Sequence, residues 1–100
     1  MSVSIEVELS PVFQTARLPS GLVVDLEEER ATVKGLLDHL SQKWGEKIDP
    51  LLFEKGGNSI LSGLMVMVND RMFTGTALNQ QAVPLHSRDK VSLLYFVSGG

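Results

Sequence analysis

The segment TVKGLLDHLSQKWG, residues 32–45, decides the fold. Within it Val33, Leu36, Leu37, Leu40 and Trp44 stand at i, i+3, i+4, i+7 and i+11, which is one apolar stripe on a helix from about Thr32 to Trp44. Thr32 suits the N-cap, and the acidic run Glu27-Glu28-Glu29 lies just before the positive end of the helix dipole. Gly45 sits where a left-handed C-cap is expected. Gly35 weakens the helix interior by about 1 kcal/mol relative to alanine, a cost consistent with close approach to a sheet.

On both sides of this helix the apolar period drops to two. Val3, Ile5, Val7 and Leu9 alternate with Ser4, Glu6, Glu8 and Ser10, the pattern of a strand with one face buried and one wet. Pro11 ends that strand or forces a bulge. After a loop through Pro19-Ser20-Gly21, the alternation of Leu22, Val24 and Leu26 predicts a second, antiparallel strand. Downstream, residues 46–63 read as a connector with a helical turn near Asp49–Phe53 and a flexible tip at Gly56-Gly57-Asn58-Ser59. Leu64–Val68 is a strand apolar on both sides, Asn69-Asp70 a tight hairpin turn, and Arg71-Met72-Phe73 a short return strand. An irregular stretch through Pro84 and a turn at Ser87–Lys90 lead to a last strand, Val91–Val97. One apolar stripe covers one face of one sheet. The order β-β-α-β-β-β therefore predicts an α+β, β-grasp architecture: a single domain over residues 1–100, with a mixed sheet of four to five strands packed on one main helix. Met65 and Met67 either fill gaps in the core or, on the partly solvated far face, belong to a partner-binding patch.

Composition narrows the function classes. The 100 residues are 43% hydrophobic and 21% charged, the balance of an ordinary globular chain with one modest core. A net charge of -3 offers no basic stripe for a phosphate backbone or an anionic membrane, so neither nucleic acid nor membrane is an expected partner. The absence of cysteine removes disulfides, thiolate nucleophiles and cysteine-ligated zinc together. With no leader-like start and no spanning run of apolar residues, the expected compartment is the cytoplasm.

The body of the chain carries little chemistry. His39 and His86 lack metal-ligand spacing, and Asp38 and His39, as helix neighbours, diverge by roughly 100°. Glycines 57 and 63 stand near phosphate-loop spacing, but no Lys-Ser/Thr pair follows them. Glu6 and Glu8 share a strand face about 7 Å apart, which a wet strand face explains. No Gly-x-Ser-x-Gly elbow occurs. The expectation is a protein with no catalytic, metal or bound-cofactor site of its own.

The last residues differ. A strand runs through Tyr95-Phe96-Val97-Ser98 into Gly99-Gly100. Without Cβ atoms such an ending is slim, takes backbone angles closed to other residues, and can thread a narrow tunnel in a partner. It predicts a flexible tail over about residues 97–100. This ending, with the strand-strand-helix opening, the Val66-Met67-Val68-Asn69-Asp70-Arg71 segment and the turn ending in Asp89 before Val91, resembles the small ubiquitin-like sulfur carriers of the MoaD/ThiS type. These include the small subunit of molybdopterin synthase and the thiamine-pathway carrier.

The resemblance implies a carrier rather than an enzyme. A partner E1-like adenylyltransferase, using ATP with Mg, would adenylate the carboxylate of Gly100; sulfide from a sulfur donor would displace AMP and leave a C-terminal thiocarboxylate. That group would deliver sulfur inside a large molybdopterin synthase subunit or another sulfur-accepting enzyme. Because thiamine carriers are generally shorter, molybdenum or tungsten cofactor synthesis is the favoured destination. In this scheme Gly99 supplies slimness, Ser98 and Val97 meet the tunnel entrance, and Phe96 either anchors at an apolar rim or packs at the strand end. Two alternatives stay open: a ubiquitin-like modifier joined through Gly100 to lysines of other proteins, and a non-catalytic β-grasp interaction domain.

Overall fold

The computed structural model describes residues 2–56 and 59–95. Their five strands, β1 (Ser2–Leu9), β2 (Gly21–Glu27), β3 (Leu64–Val68), β4 (Arg71–Thr74) and β5 (Lys90–Tyr95), form one mixed sheet in the order β2-β1-β5-β3-β4. β1 runs antiparallel to β2 and parallel to β5, while β3 is antiparallel to both β5 and β4. This is the β-grasp arrangement that one long amphipathic helix requires.

The expected main helix is α2 (Val33–Trp44), and among the described residues three short helices accompany it: α1 (Pro11–Gln14), α3 (Asp49–Leu52), where the helical turn was expected, and α4 (Gly75–Gln80). Only α2 is long enough to show a period. Its Val33, Leu36, Leu37 and Leu40 are buried against Ile5, Val7 and Leu9 of β1, Val24 and Leu26 of β2, Leu64 and Val66 of β3, and Val91 and Leu93 of β5. At its start the Thr32 hydroxyl accepts a hydrogen bond from Gly35 N–H at 3.0 Å, and at its end Gly45 takes φ +52°. Gly35, however, does not serve an approach to the sheet. A Cβ there would collide with the carbonyl oxygen of Arg30, in the 3-10 turn Glu28–Arg30 that delivers the chain to the helix.

The stretches expected to be irregular are stitched to this frame. Pro11 ends β1 and opens α1, placing Phe13 fully inside the core. In the connector, Ile48 and Leu52 are fully buried, and Ser41 Oγ donates to Asp49 Oδ1 at 2.5 Å, joining α2 to α3. The side chain of Asn79 on α4 brackets Ile60: it accepts from Ile60 N–H at 2.8 Å and donates to the Ile60 carbonyl at 3.0 Å. Residues 83–85 bind the start of α2, with Val33 N–H to the Val83 carbonyl at 3.0 Å and Leu85 N–H to the Ala31 carbonyl at 2.7 Å.

Candidate functional site

β5 lies at the centre of the sheet and leads directly to the residues assigned to tail recognition and activation. Phe96, Val97, Ser98, Gly99 and Gly100 lie outside the described residues. What the structure does define is the strand that precedes them. On the β1 side the ladder reaches Leu9 opposite Leu93, closes with Ser10 N–H to the Leu93 carbonyl at 3.1 Å, and stops where Pro11 turns into α1. On the β3 side it runs two residues further, to Leu64 opposite Tyr95. The Tyr95 hydroxyl donates to the Leu51 carbonyl on α3, and its ring stands 5.7 Å from that of Phe13 on α1 at 46°. Burial pushes the Tyr95 phenol up to about 12. It stays a donor throughout the physiological range.

Met65 and Met67 point to the outer face of the sheet, away from α2. The register requires it: Val66 and its partners Phe73 and Leu93 face inward, so the methionines on either side of Val66 face outward. Both are half-buried. Met65 pairs with Leu94, and Met67 pairs with Met72, itself 50% exposed, so an apolar strip runs across β5, β3 and β4 beside Tyr95. Filling the core is thereby excluded for this pair. Met72 belongs to the same strip, and sequence reasoning missed it because a four-residue strand shows too little alternation to assign a face.

The other half of the outer face is mostly charged, with Val23 of β2 exposed opposite Glu6. Glu6, Glu8, Asp25 and Glu27 line β1 and β2, and Lys90 Nζ meets Glu8 Oε1 at 2.9 Å. The hydrogen bond and charge of Lys90 hold the Glu8 carboxyl below its ordinary range, while Glu8 raises Lys90 in return. Where β5 begins, burial would push the Asp89 carboxyl up. Hydrogen bonds from Asn69 Nδ2 at 3.0 Å and His86 N–H at 2.8 Å outweigh burial and hold it below the usual value. Asn69 Oδ1 also accepts from Lys90 N–H at 3.0 Å. Asn69 takes φ +56° and Arg88 φ +75°, so the hairpin and the turn before β5 are locked to each other.

These groups position elements. Among the described residues no three or more His, Cys, Asp or Glu side chains are placed to hold a metal ion. Asp38 is exposed and His39 half-buried on the outer side of α2. No helix among the described residues is long and apolar enough to cross a membrane.

Comparison with known proteins agrees with the topology. The model of the ThiS family matches residues 12–100. The crystal structure of small archaeal modifier protein 1 from Haloferax volcanii superposes with a TM-score of 0.76 at 24% identity, covering 97% of this chain and 99% of that one. The solution structure of small archaeal modifier protein 1 from Methanosarcina acetivorans gives a TM-score of 0.77 at 20% identity, covering 100% of this chain and 99% of that one. No curated protein matches the sequence.

Proposed function

The chain belongs to the ThiS family, and from that premise we propose that it is a cytoplasmic sulfur carrier whose working group is the carboxylate of Gly100. The observation that supports this most directly is that the family match runs through Gly99 and Gly100. A carboxylate is a poor electrophile. Its oxygen attacks the α-phosphorus of ATP in an E1-like adenylyltransferase, pyrophosphate leaves, and a mixed anhydride with AMP is formed. Sulfide from the donor then adds to that acyl carbon and AMP departs, leaving a thiocarboxylate. In a second enzyme the thiocarboxylate sulfur attacks an electrophilic carbon of the acceptor and expels its leaving group, and hydrolysis of the acyl–sulfur bond then releases the sulfur on the acceptor and restores the carboxylate. The acceptor is the large subunit of molybdopterin synthase or another sulfur-accepting enzyme.

A division of labour fits this reading. The apolar strip of Met65, Met67, Met72 and Leu94 adjoins the end of β5, so an enzyme that docks on it meets the tail at the same time. Gly99 supplies slimness, Ser98 and Val97 meet the entrance, and Phe96 reaches the rim. No thiol on the chain competes for the sulfur.

A second reading is supported by the names of the structures just compared, both modifier proteins. It keeps the activated Gly100 and changes the acceptor to a lysine amine. Mass spectrometry of material from source cells separates the two: an oxygen-to-sulfur increase on the intact chain marks the carrier, and lysines of other proteins that carry the Val91–Gly100 segment after tryptic cleavage at Lys90 mark the modifier. Under either reading Gly100→Val folds as the parent does but is not activated. A Gly100→Val chain activated as fast as the parent overturns the tunnel argument.

A further inference from the structure

Tyr95 is the last described residue before the tail, and three structural features meet there. First, β5 loses its β1 neighbour after Leu93, because Pro11 has no N–H to donate and begins α1. Second, β3 starts at Leu64, so the remaining ladder stops opposite Tyr95. Third, the side chain of Tyr95 adds anchors outside the sheet. It lies on the inner side with Leu64, its ring meets the fully buried Phe13 of α1, and its hydroxyl donates to the Leu51 carbonyl of α3. Two short helices thus grip the root of the tail, and neither belongs to the sheet.

We propose that Tyr95 is a positioning residue for the activation of Gly100, its tie to Leu51 and its contact with Phe13 fixing the main chain five residues before the reactive end. The proposal rests on the reading that Gly100 is activated. An enzyme that binds the body of the carrier must still find the carboxylate at the α-phosphorus of ATP. Each rotatable bond left free at the root multiplies the positions that Gly100 samples, and so lowers the fraction of bound complexes that can react. A fixed root raises that fraction without adding any contact to the enzyme. The effect therefore falls on kcat, whereas the outer-face strip acts on KM. A residue needed only for packing would show no such division. The hydroxyl is the separable part: Tyr95→Phe keeps the ring against Phe13 and removes only the hydrogen bond.

The test is ATP–pyrophosphate exchange catalysed by the E1-like adenylyltransferase captured from source cells, with the concentration of the carrier varied. Tyr95→Phe is expected to lower kcat about fivefold, with KM for the carrier unchanged within about twofold. Ile5→Val, a core change toward the far end of β1 with a comparable loss of stability, is expected to keep the parent's kcat. Equal kcat for Tyr95→Phe and the parent overturns the proposal while leaving the carrier function standing. An equal drop in Ile5→Val also overturns it, since general loosening would then account for both. If the parent itself supports no exchange, the carrier reading falls and this inference falls with it.

Discussion

Asp89 shows how a single carboxylate ties distant parts of the chain. It accepts from Asn69 Nδ2 and from His86 N–H, while Asn69 Oδ1 takes the Lys90 N–H, so two turns about twenty residues apart share one network. Hydrogen bonds to a charged group contribute about 1.5–3 kcal/mol. Asp89→Ala is expected to lower the unfolding free energy by about 2 kcal/mol at pH 7, read as a shifted urea midpoint with unchanged slope. Its folded pKa lies below an unfolded value of about 3.9, so its contribution is whole above that pH and fades as the pH falls through the folded pKa. The parent should therefore lose stability more steeply than the variant as the pH falls below about 4. Gly35 carries a second expectation. Alanine ordinarily strengthens a helix interior by about 1 kcal/mol, yet Gly35→Ala should lower the melting temperature, because the Arg30 carbonyl occupies the space a Cβ needs. The turns at Asn69 and Asp89 were legible from residue type alone. The bonds between them were not, since no local pattern says which turn an asparagine side chain will reach.

At the scale of elements, legibility followed length. The twelve residues of α2 carry a stripe, a cap at Thr32 and a stop at Gly45, and all three stand where the sequence placed them. α1 and α4, with four and six residues, are too short for a helical period to emerge. Their signals are at the ends: Pro11 follows Ser10 at the first helical position, and Thr74 Oγ1 accepts from Ala77 N–H at 3.1 Å. α4 matters because it holds the connector. Asn79 satisfies both backbone groups of Ile60, and a Cβ on Gly75 would strike the Leu61 carbonyl. Asn79→Ala should cost about 1–3 kcal/mol and speed amide exchange at Ile60 more than in α2. Uniform acceleration across the chain would show instead that the connector and α2 open together.

Over the whole molecule, the outer face of the sheet is divided along β5. Carboxylates of β1 and β2 occupy one half, and Met65, Met67, Met72 and Leu94 the other, next to the root of the tail. The sequence could not settle which way the methionines point, because Leu64–Val68 is apolar at every position and a period of two needs a polar residue to mark the wet side. Pairing with Phe73 and Leu93 turns Val66 inward and so decides it. The tail is the opposite case, read from residue type alone and lying outside the described residues. If the strip is where the activating enzyme docks, a charge placed on it must raise KM without touching the fold. Met72 is the residue to change, since it is half exposed and no core contact depends on it. Met72→Glu should leave the melting temperature within about 2 °C of the parent, because surface changes fall within about 0.5 kcal/mol. It should raise KM for the carrier in pyrophosphate exchange about tenfold or more, the cost of burying an unpaired carboxylate against an apolar partner, with kcat retained. An unchanged KM would mean that the enzyme approaches from another side, and the apolar strip would then need a different occupant.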